Sequence, residues 1–165
     1  MEHSDPAMRA ILDALRHIFQ EMRSFSVESE ARVGLTAAQL FALQVLNRRA
    51  PLTVNELAAG TFTHQSSVSV VARRLVDKRL VRRRTSPTDR RSVLLEPTAA
   101  GKRVVEKVPS ALQDHLIDAF ASLLPEERQA LGGLLGKVVR KLAPEGQPPP
   151  MFFERAPDPR RSRGK

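Results

Sequence analysis

The chain has 165 residues and a mass of 18.3 kDa, enough for one domain with a real core and too few for two ordinary ones. Hydrophobic residues make up 41% and charged residues 27%, no apolar run approaches the roughly 20 residues of a membrane span, and cysteine is absent, which excludes disulfides, thiolate nucleophiles and Cys-ligated zinc. The formal charge is +9, and residues 62–103, with 11 basic against 3 acidic groups, supply +8 of it.

Charge concentrated in one stretch points to a local surface for a polyanion rather than to a generally basic protein. A solvated Arg-rich face is the plainer alternative. Four scattered histidines leave little material for a metal site, so neither a metal nor a cofactor is expected. The acidic, polar start Met1-Glu2-His3-Ser4-Asp5 lacks the basic and apolar parts of a secretory signal, which suits a cytoplasmic location without membrane attachment.

From Ala7 to about Ser26, Met8, Ile11, Leu12, Leu15, Ile18, Phe19, Met22 and Phe25 recur at three- and four-residue steps, which predicts a long amphipathic helix. Thr36-Ala37-Ala38-Gln39 has the form of a capping box and opens a second helix that ends near Arg49, before Pro51. Thr53-Val54-Asn55-Glu56 repeats that chemistry and starts a short third helix running to about Ala59. After a turn at Gly60-Thr61-Phe62, Thr63 is the expected N-cap of a fourth helix with Val68, Val71, Ala72 and Leu75 inward. Two helices across a tight turn make a helix-turn-helix pattern.

The outward face of the fourth helix carries Gln65, Ser66, Ser69, Val70, Arg73 and Arg74, with Ser67 at its edge. Glutamine bonds adenine bidentately, serine suits base edges or phosphate, and arginine reads guanine or phosphate. An ordinary solvated helix face would explain the arginines but not a serine-rich helix start, since serine is a mediocre helix former. Beyond Lys78 the period changes to two strands, Leu80 to Arg84 and Arg91 to Glu96, across the turn residues Thr85 to Arg90. Arginines near such a hairpin tip suit a narrow minor groove, with Asp89 a brace for Arg91.

Helical spacing returns after Thr98 with Val104, Val105, Val108, Leu112, Leu116 and Phe120, and Pro109 predicts a kink or break at Val108. Pro125-Glu126-Glu127 opens a last helix carrying Leu131, Leu134, Leu135, Val138 and Leu142. Its apolar stripe and that of the first helix exceed what one small lobe covers, so dimerisation through these ends is expected. Gly132, Gly133 and Gly136 either permit close helix approach there or are simply tolerated.

The run from Thr63-His64-Gln65-Ser66-Ser67 through Arg73-Arg74-Leu75 to Leu80-Val81, followed by Asp89-Arg90-Arg91-Ser92-Val93-Leu94-Leu95-Glu96-Pro97-Thr98-Ala99-Ala100-Gly101, resembles the MarR family of winged helix-turn-helix transcriptional regulators. The wing-tip Asp-Arg-Arg followed by the Thr-x-x-Gly helix start is the most specific part, and the resemblance spans roughly residues 5–142. It implies a mainly α fold with a small β-hairpin wing. Residues 36–101 would form the winged helix-turn-helix lobe, and 5–30 and 102–142 the dimerisation helices. The implied function is that of a homodimeric repressor on a near-palindromic operator in double-stranded DNA, not of an enzyme. Gln65, Ser66, Ser67, Ser69, Arg73 and Arg74 would enter the major groove. Arg84, Arg90 and Arg91 would serve the wing, with Arg90 in the minor groove and Arg91 paired to Asp89. Family members commonly release DNA on binding a small anionic or phenolic effector. Arg16, His17 and His115 are the polar groups nearest such a cleft in sequence, although each also fits an exposed helix position, and the ligand-binding residues stay undetermined. The absence of cysteine excludes the thiol-oxidising peroxide sensors of the family.

Three positions depart from the family pattern: Arg79 replaces the usual glycine after the recognition helix, Pro97 a leucine, and His64 an aspartate. The first leaves a left-handed cap strained or replaced by another ending. The tail from Ala143 holds six prolines among 23 residues and is expected to be disordered. Met151-Phe152-Phe153 interrupts it as an apolar knot that either stays free or docks on a partner subunit or the effector cleft. Two further readings stand beside the regulator. An enzyme lacks its constellation here, with neither a Gly-rich phosphate loop nor a metal-ligand cluster. A winged-helix module for an acidic protein, or for DNA without strong sequence preference, would not need the polar cluster at Gln65 to Ser69.

Overall fold

The computed structural model describes residues 5–89, 91–108, 112–142, 148–152 and 154. They form α1 (Pro6–Val33), α2 (Ala37–Arg49), α3 (Val54–Gly60), α4 (Gln65–Asp77), β1 (Val81–Thr85), β2 (Val93–Pro97), α5 (Ala99–Lys107), α6 (Leu112–Ala121) and α7 (Pro125–Leu142). The strands are antiparallel, Val81 opposite Pro97 and Thr85 opposite Val93, and Leu52 adds an isolated bridge to Leu95. This is the expected mainly helical fold with a β-hairpin wing.

The core sits around α2. Every residue from Ala37 to Leu46 is buried, so this helix is covered on all sides instead of along one stripe. Phe41, Leu40, Leu43 and Leu46 meet Leu57 from α3, Val68, Val71 and Leu75 from α4, and Val81 and Leu95 from the wing. The inward set expected for α4 is buried, and Ser67, expected at the edge of the outward face, is buried with it.

Local chemistry sets most boundaries. Asp5 accepts from the Ala7 N–H at 2.9 Å to start α1, and Gly34 stops it in the left-handed region at φ 68°. That helix runs seven residues past Ser26, because its buried face continues through the serines Ser26 and Ser29, which carry no apolar period to read. At α3 the capping box closes in both directions: the Glu56 N–H donates to Thr53 Oγ1 at 3.2 Å, and the Thr53 N–H donates to Glu56 Oε2 at 2.7 Å. On α4 the N-cap is His64, one residue later than Thr63, and it makes no side-chain capping bond. At Thr36 the hydroxyl half of the box forms, accepting from the Gln39 N–H at 3.3 Å.

The join between α4 and the wing fixes how the two face one another. Arg79 lies at φ 58°, its N–H donating to the Val76 carbonyl at 2.8 Å while the Leu80 N–H donates to the Leu75 carbonyl at 3.0 Å. This is a Schellman ending with arginine where glycine is favoured, so the left-handed cap is kept, at a cost of about 1–2 kcal/mol. Thr98 then caps α5 by accepting from the Gly101 N–H at 3.1 Å, and a Cβ at residue 101 would stand 2.2 Å from the Leu80 carbonyl oxygen. The Thr-x-x-Gly motif is thus a packing requirement: only glycine lets α5 lie against the chain leaving α4.

The chain breaks where Pro109 predicts, α5 ending at Lys107 and α6 beginning at Leu112; Pro109 itself lies outside the described residues. Arg48 of α2 pairs with Asp114 of α6 at 3.0 Å. At the α6–α7 corner Arg128 donates to the carbonyls of Phe120, Ala121 and Leu123 at 3.0–3.2 Å. No residue of α7 is buried, and Leu134, Leu135, Val138, Val139 and Leu142 face outward with Met8, Ile11, Leu12 and Phe19 of α1. A Cβ at Gly132 or Gly133 would meet nothing within 4 Å.

Part of the tail packs on the lobe. Residues 148–152 and 154 lie against the α2–α4 region, with Met151 and Glu154 both buried at 6% exposure. Met151 joins the main core instead of a partner subunit or a cleft. Its apolar side chain supplies the burial that the proline-rich composition concealed. Phe153 and residues 155–165 lie outside the described residues.

Candidate nucleic-acid interface

The face of α4 opposite Val68, Val71, Ala72 and Leu75 is polar. Gln65, Ser66 and Arg73 are exposed, and Ser69 is half-buried with its hydroxyl donating to the Gln65 carbonyl at 2.7 Å. That i−4 bond satisfies the serine internally without removing its lone pairs from use. Ser67 and Arg74 are placed differently from the other candidates. The Ser67 hydroxyl is buried and donates to the Pro149 carbonyl at 2.7 Å, and the Arg74 guanidinium pairs with Glu154. Both belong to the edge of α4 that faces α2 and the tail.

The wing is a basic strand ordered by one acid. Arg82 and Arg84, two apart and therefore on the same face of β1, both pair with Glu96 of β2, at 2.8 and 3.1 Å. Arg84 is thus tied to Glu96 across the hairpin, with its side chain more than half exposed. The turn is built on Ser86, whose buried hydroxyl oxygen accepts from the N–H groups of Thr88 and Asp89 at 3.3 Å. The Asp89 carboxylate takes its hydrogen bonds from groups other than the Arg91 guanidinium. One of its oxygens accepts the Arg91 backbone N–H at 2.9 Å, and the other accepts the Ser92 hydroxyl at 2.7 Å. A backbone N–H two residues on is within reach of an aspartate in any such turn, whereas the guanidinium would have to fold back. The Ser92 hydroxyl, then the Arg91 N–H, hold the Asp89 carboxyl below its ordinary pKa. Arg91 is exposed, and Arg90 lies outside the described residues.

A separate cleft of ≈ 460 Å3 opens between α1 and α6, lined by His17, Ile18, Glu21, Phe25, His115 and Leu116 among others. His17 and His115 thus share one cleft, whereas Arg16 pairs with Asp13 on the exposed side of α1. No grouping of three or more His, Asp or Glu side chains suited to a metal ion occurs among the described residues, and no helix there is long and apolar enough to cross a membrane.

Sequence reasoning did not single out Thr36, Gln39 or Glu154 for the interface. Glu154 Oε2 accepts from the Thr36 hydroxyl at 2.9 Å and from the Gln39 amide at 3.4 Å, so the N-terminus of α2, one edge of α4 and the tail converge on one carboxylate. The only signal available was an acid directly following the apolar knot.

A helix-turn-helix whose second helix presents a polar face, followed by an arginine-rich hairpin on the same lobe, defines a winged-helix nucleic-acid-binding protein. The pattern of the MarR family matches residues 33–92. Over 127 residues the chain is 32% identical to the HTH-type transcriptional repressor MdtR of Bacillus subtilis, covering 77% of this chain and 81% of that one. The crystal structure of a MepR-like protein complexed with pseudoligands superposes with a TM-score of 0.56 at 28% identity, over 84% of this chain and 97% of its own. That of Bordetella bronchiseptica BpsR, solved to explain regulation of its DNA binding by 6-hydroxynicotinic acid, gives 0.52 at 27% identity, over 78% and 98%. The chain belongs to the MarR family of DNA-binding, winged-helix transcriptional regulators.

Proposed function

We propose that the protein is a homodimeric repressor that reads a near-palindromic operator with α4 and steadies itself with the wing. The observation that carries this reading is the juxtaposition on one lobe of the polar face of α4 with a wing bearing Arg82, Arg83, Arg84 and Arg91. Gln65, Ser66, Ser69 and Arg73 contact base edges or phosphates in the major groove, and Ser67 and Arg74 join them once freed from the tail. Arg90 and Arg91 approach the minor groove, while Arg84 stays with Glu96 and contributes charge near the backbone.

Residues 36–101 act as the reading lobe, and residues 5–30 and 102–142 as the dimer scaffold. The outward apolar side chains of α1 and α7 support that division, since a face of this kind is the usual mark of a protein–protein contact. The cleft beside His17 and His115 takes a small anionic or phenolic effector that releases DNA. Its apolar walls Ile18, Phe25 and Leu116 suit a flat ring, two imidazoles can donate to an acid or phenolate, and BpsR is regulated by 6-hydroxynicotinic acid.

Two substitutions test the division of labour on the DNA. Gln65→Ala weakens operator binding by about 1–3 kcal/mol and relaxes preference at one base position, whereas Arg90→Ala weakens binding to all sequences and lowers the salt slope. Equal losses on operator and scrambled duplex for both variants contradict sequence reading by α4, and favour a charged module that meets DNA or an acidic protein without specificity.

A further inference from the structure

Tail residues 148–152 and 154 occupy two groups that the regulator reading assigns to DNA. Ser67 donates to the Pro149 carbonyl, and Arg74 pairs with the Glu154 carboxylate. The same carboxylate is buried and takes hydrogen bonds from the Thr36 hydroxyl and the Gln39 side-chain amide, at the N-terminal end of the 13-residue α2. A guanidinium, a hydroxyl, an amide N–H and a helix N-terminus converging on one anionic oxygen pair are the groups that seat a phosphate. Met151, buried in the core three residues earlier, anchors the segment.

We propose that residues 148–152 and 154 are a built-in competitor for DNA, in which Glu154 stands where a backbone phosphate docks and the Pro148–Pro150 run shields one edge of the recognition helix. The proposal rests on the regulator reading of α4. Dimensions decide that the two states exclude one another. The major groove is about 12 Å wide and an α-helix with its side chains about 10–12 Å across, so a helix with a second stretch of chain along its edge no longer fits. The tail must leave before α4 docks, and the apparent affinity falls by the fraction of molecules in which it has left. By reciprocity, bound DNA drives the segment out.

The test uses the full chain as wild type, as Glu154→Gln and, separately, as Met151→Ser. Each is titrated with the duplex from upstream of its own coding region and with a scrambled duplex, with folding checked by the thermal transition. Glu154→Gln keeps shape while removing the charge, and Met151→Ser removes the anchor without touching any DNA candidate. Both variants are expected to bind the specific duplex about tenfold more tightly than wild type. Addition of that duplex to wild type is expected to speed cleavage after Glu154 by a glutamate-specific protease. Variants that bind with unchanged or weaker affinity, while still preferring the specific duplex, overturn the competitor and leave the regulator reading standing. Loss of discrimination between duplexes in wild type and variants alike removes the regulator reading and the competitor with it.

Discussion

The lobe around α2 and the helices α1 and α7 solve opposite problems with similar amounts of apolar sequence. In the lobe, Leu40, Phe41, Leu43 and Leu46 are all but removed from water among buried side chains of α3, α4 and both wing strands. In α7 the same residue types stand outside, with Leu142 79% and Leu134 59% exposed. Composition does not separate the two regions, but their surroundings do: one chain completes the lobe and leaves the apolar faces of the terminal helices exposed, the faces assigned to the proposed dimer.

The difference predicts that equal chemical insults have unequal consequences. The largest belongs to the lobe, where Gly101→Ala drives a methyl against the Leu80 carbonyl and costs about 3 kcal/mol, readable as a lowered denaturant midpoint. Leu134→Glu in α7 leaves the packing of the lobe intact and instead disrupts the proposed dimer, so sedimentation is expected to show monomers while the circular dichroism of the fold is retained. A monomer from the wild type would erase the contrast. Arg79→Gly relieves the left-handed cap and stabilises the lobe by about 1 kcal/mol.

The smallest effect is at the wing tip. The Asp89 carboxyl, held low by the Ser92 hydroxyl and the Arg91 N–H, braces the turn at all pH values above its ordinary range. A depressed carboxylate pKa means the folded state binds fewer protons than the unfolded one, so this contribution is present above the unfolded value and is lost as pH falls through the folded one. Faster amide exchange at Arg91 as the solution is acidified through that window, relative to a matched unstructured peptide, is the expected sign. In Asp89→Asn the pH dependence disappears.

The reading lobe was largely legible because its signals are local. Val68, Val71, Ala72 and Leu75 repeat with the helical period, Thr53 and Glu56 announce a capping box, and Thr98 and Gly101 mark the start of α5. What escaped notice depends on distance in the chain. Glu154 reaches Thr36 across 118 positions, and nothing in a proline-rich tail reveals that one methionine and one acid find places on α2 and α4. The extension of α1 to Val33 was hidden for a different reason, since its buried face is carried by Ser26 and Ser29 instead of apolar side chains, and only Gly34 marks its stop. The hydrogen-bond partners of Asp89 were not legible, because a backbone N–H is invisible to pattern reading.

The central claim is that α4 reads sequence while the basic wing supplies affinity. The most direct measurement is binding of the purified full chain to the duplex upstream of its own coding region and to a scrambled duplex of equal length, across a salt series. The account predicts that both affinities fall with salt while a gap between them persists, because base contacts do not depend on counterion release. Two curves that coincide and vanish together at high salt would contradict it.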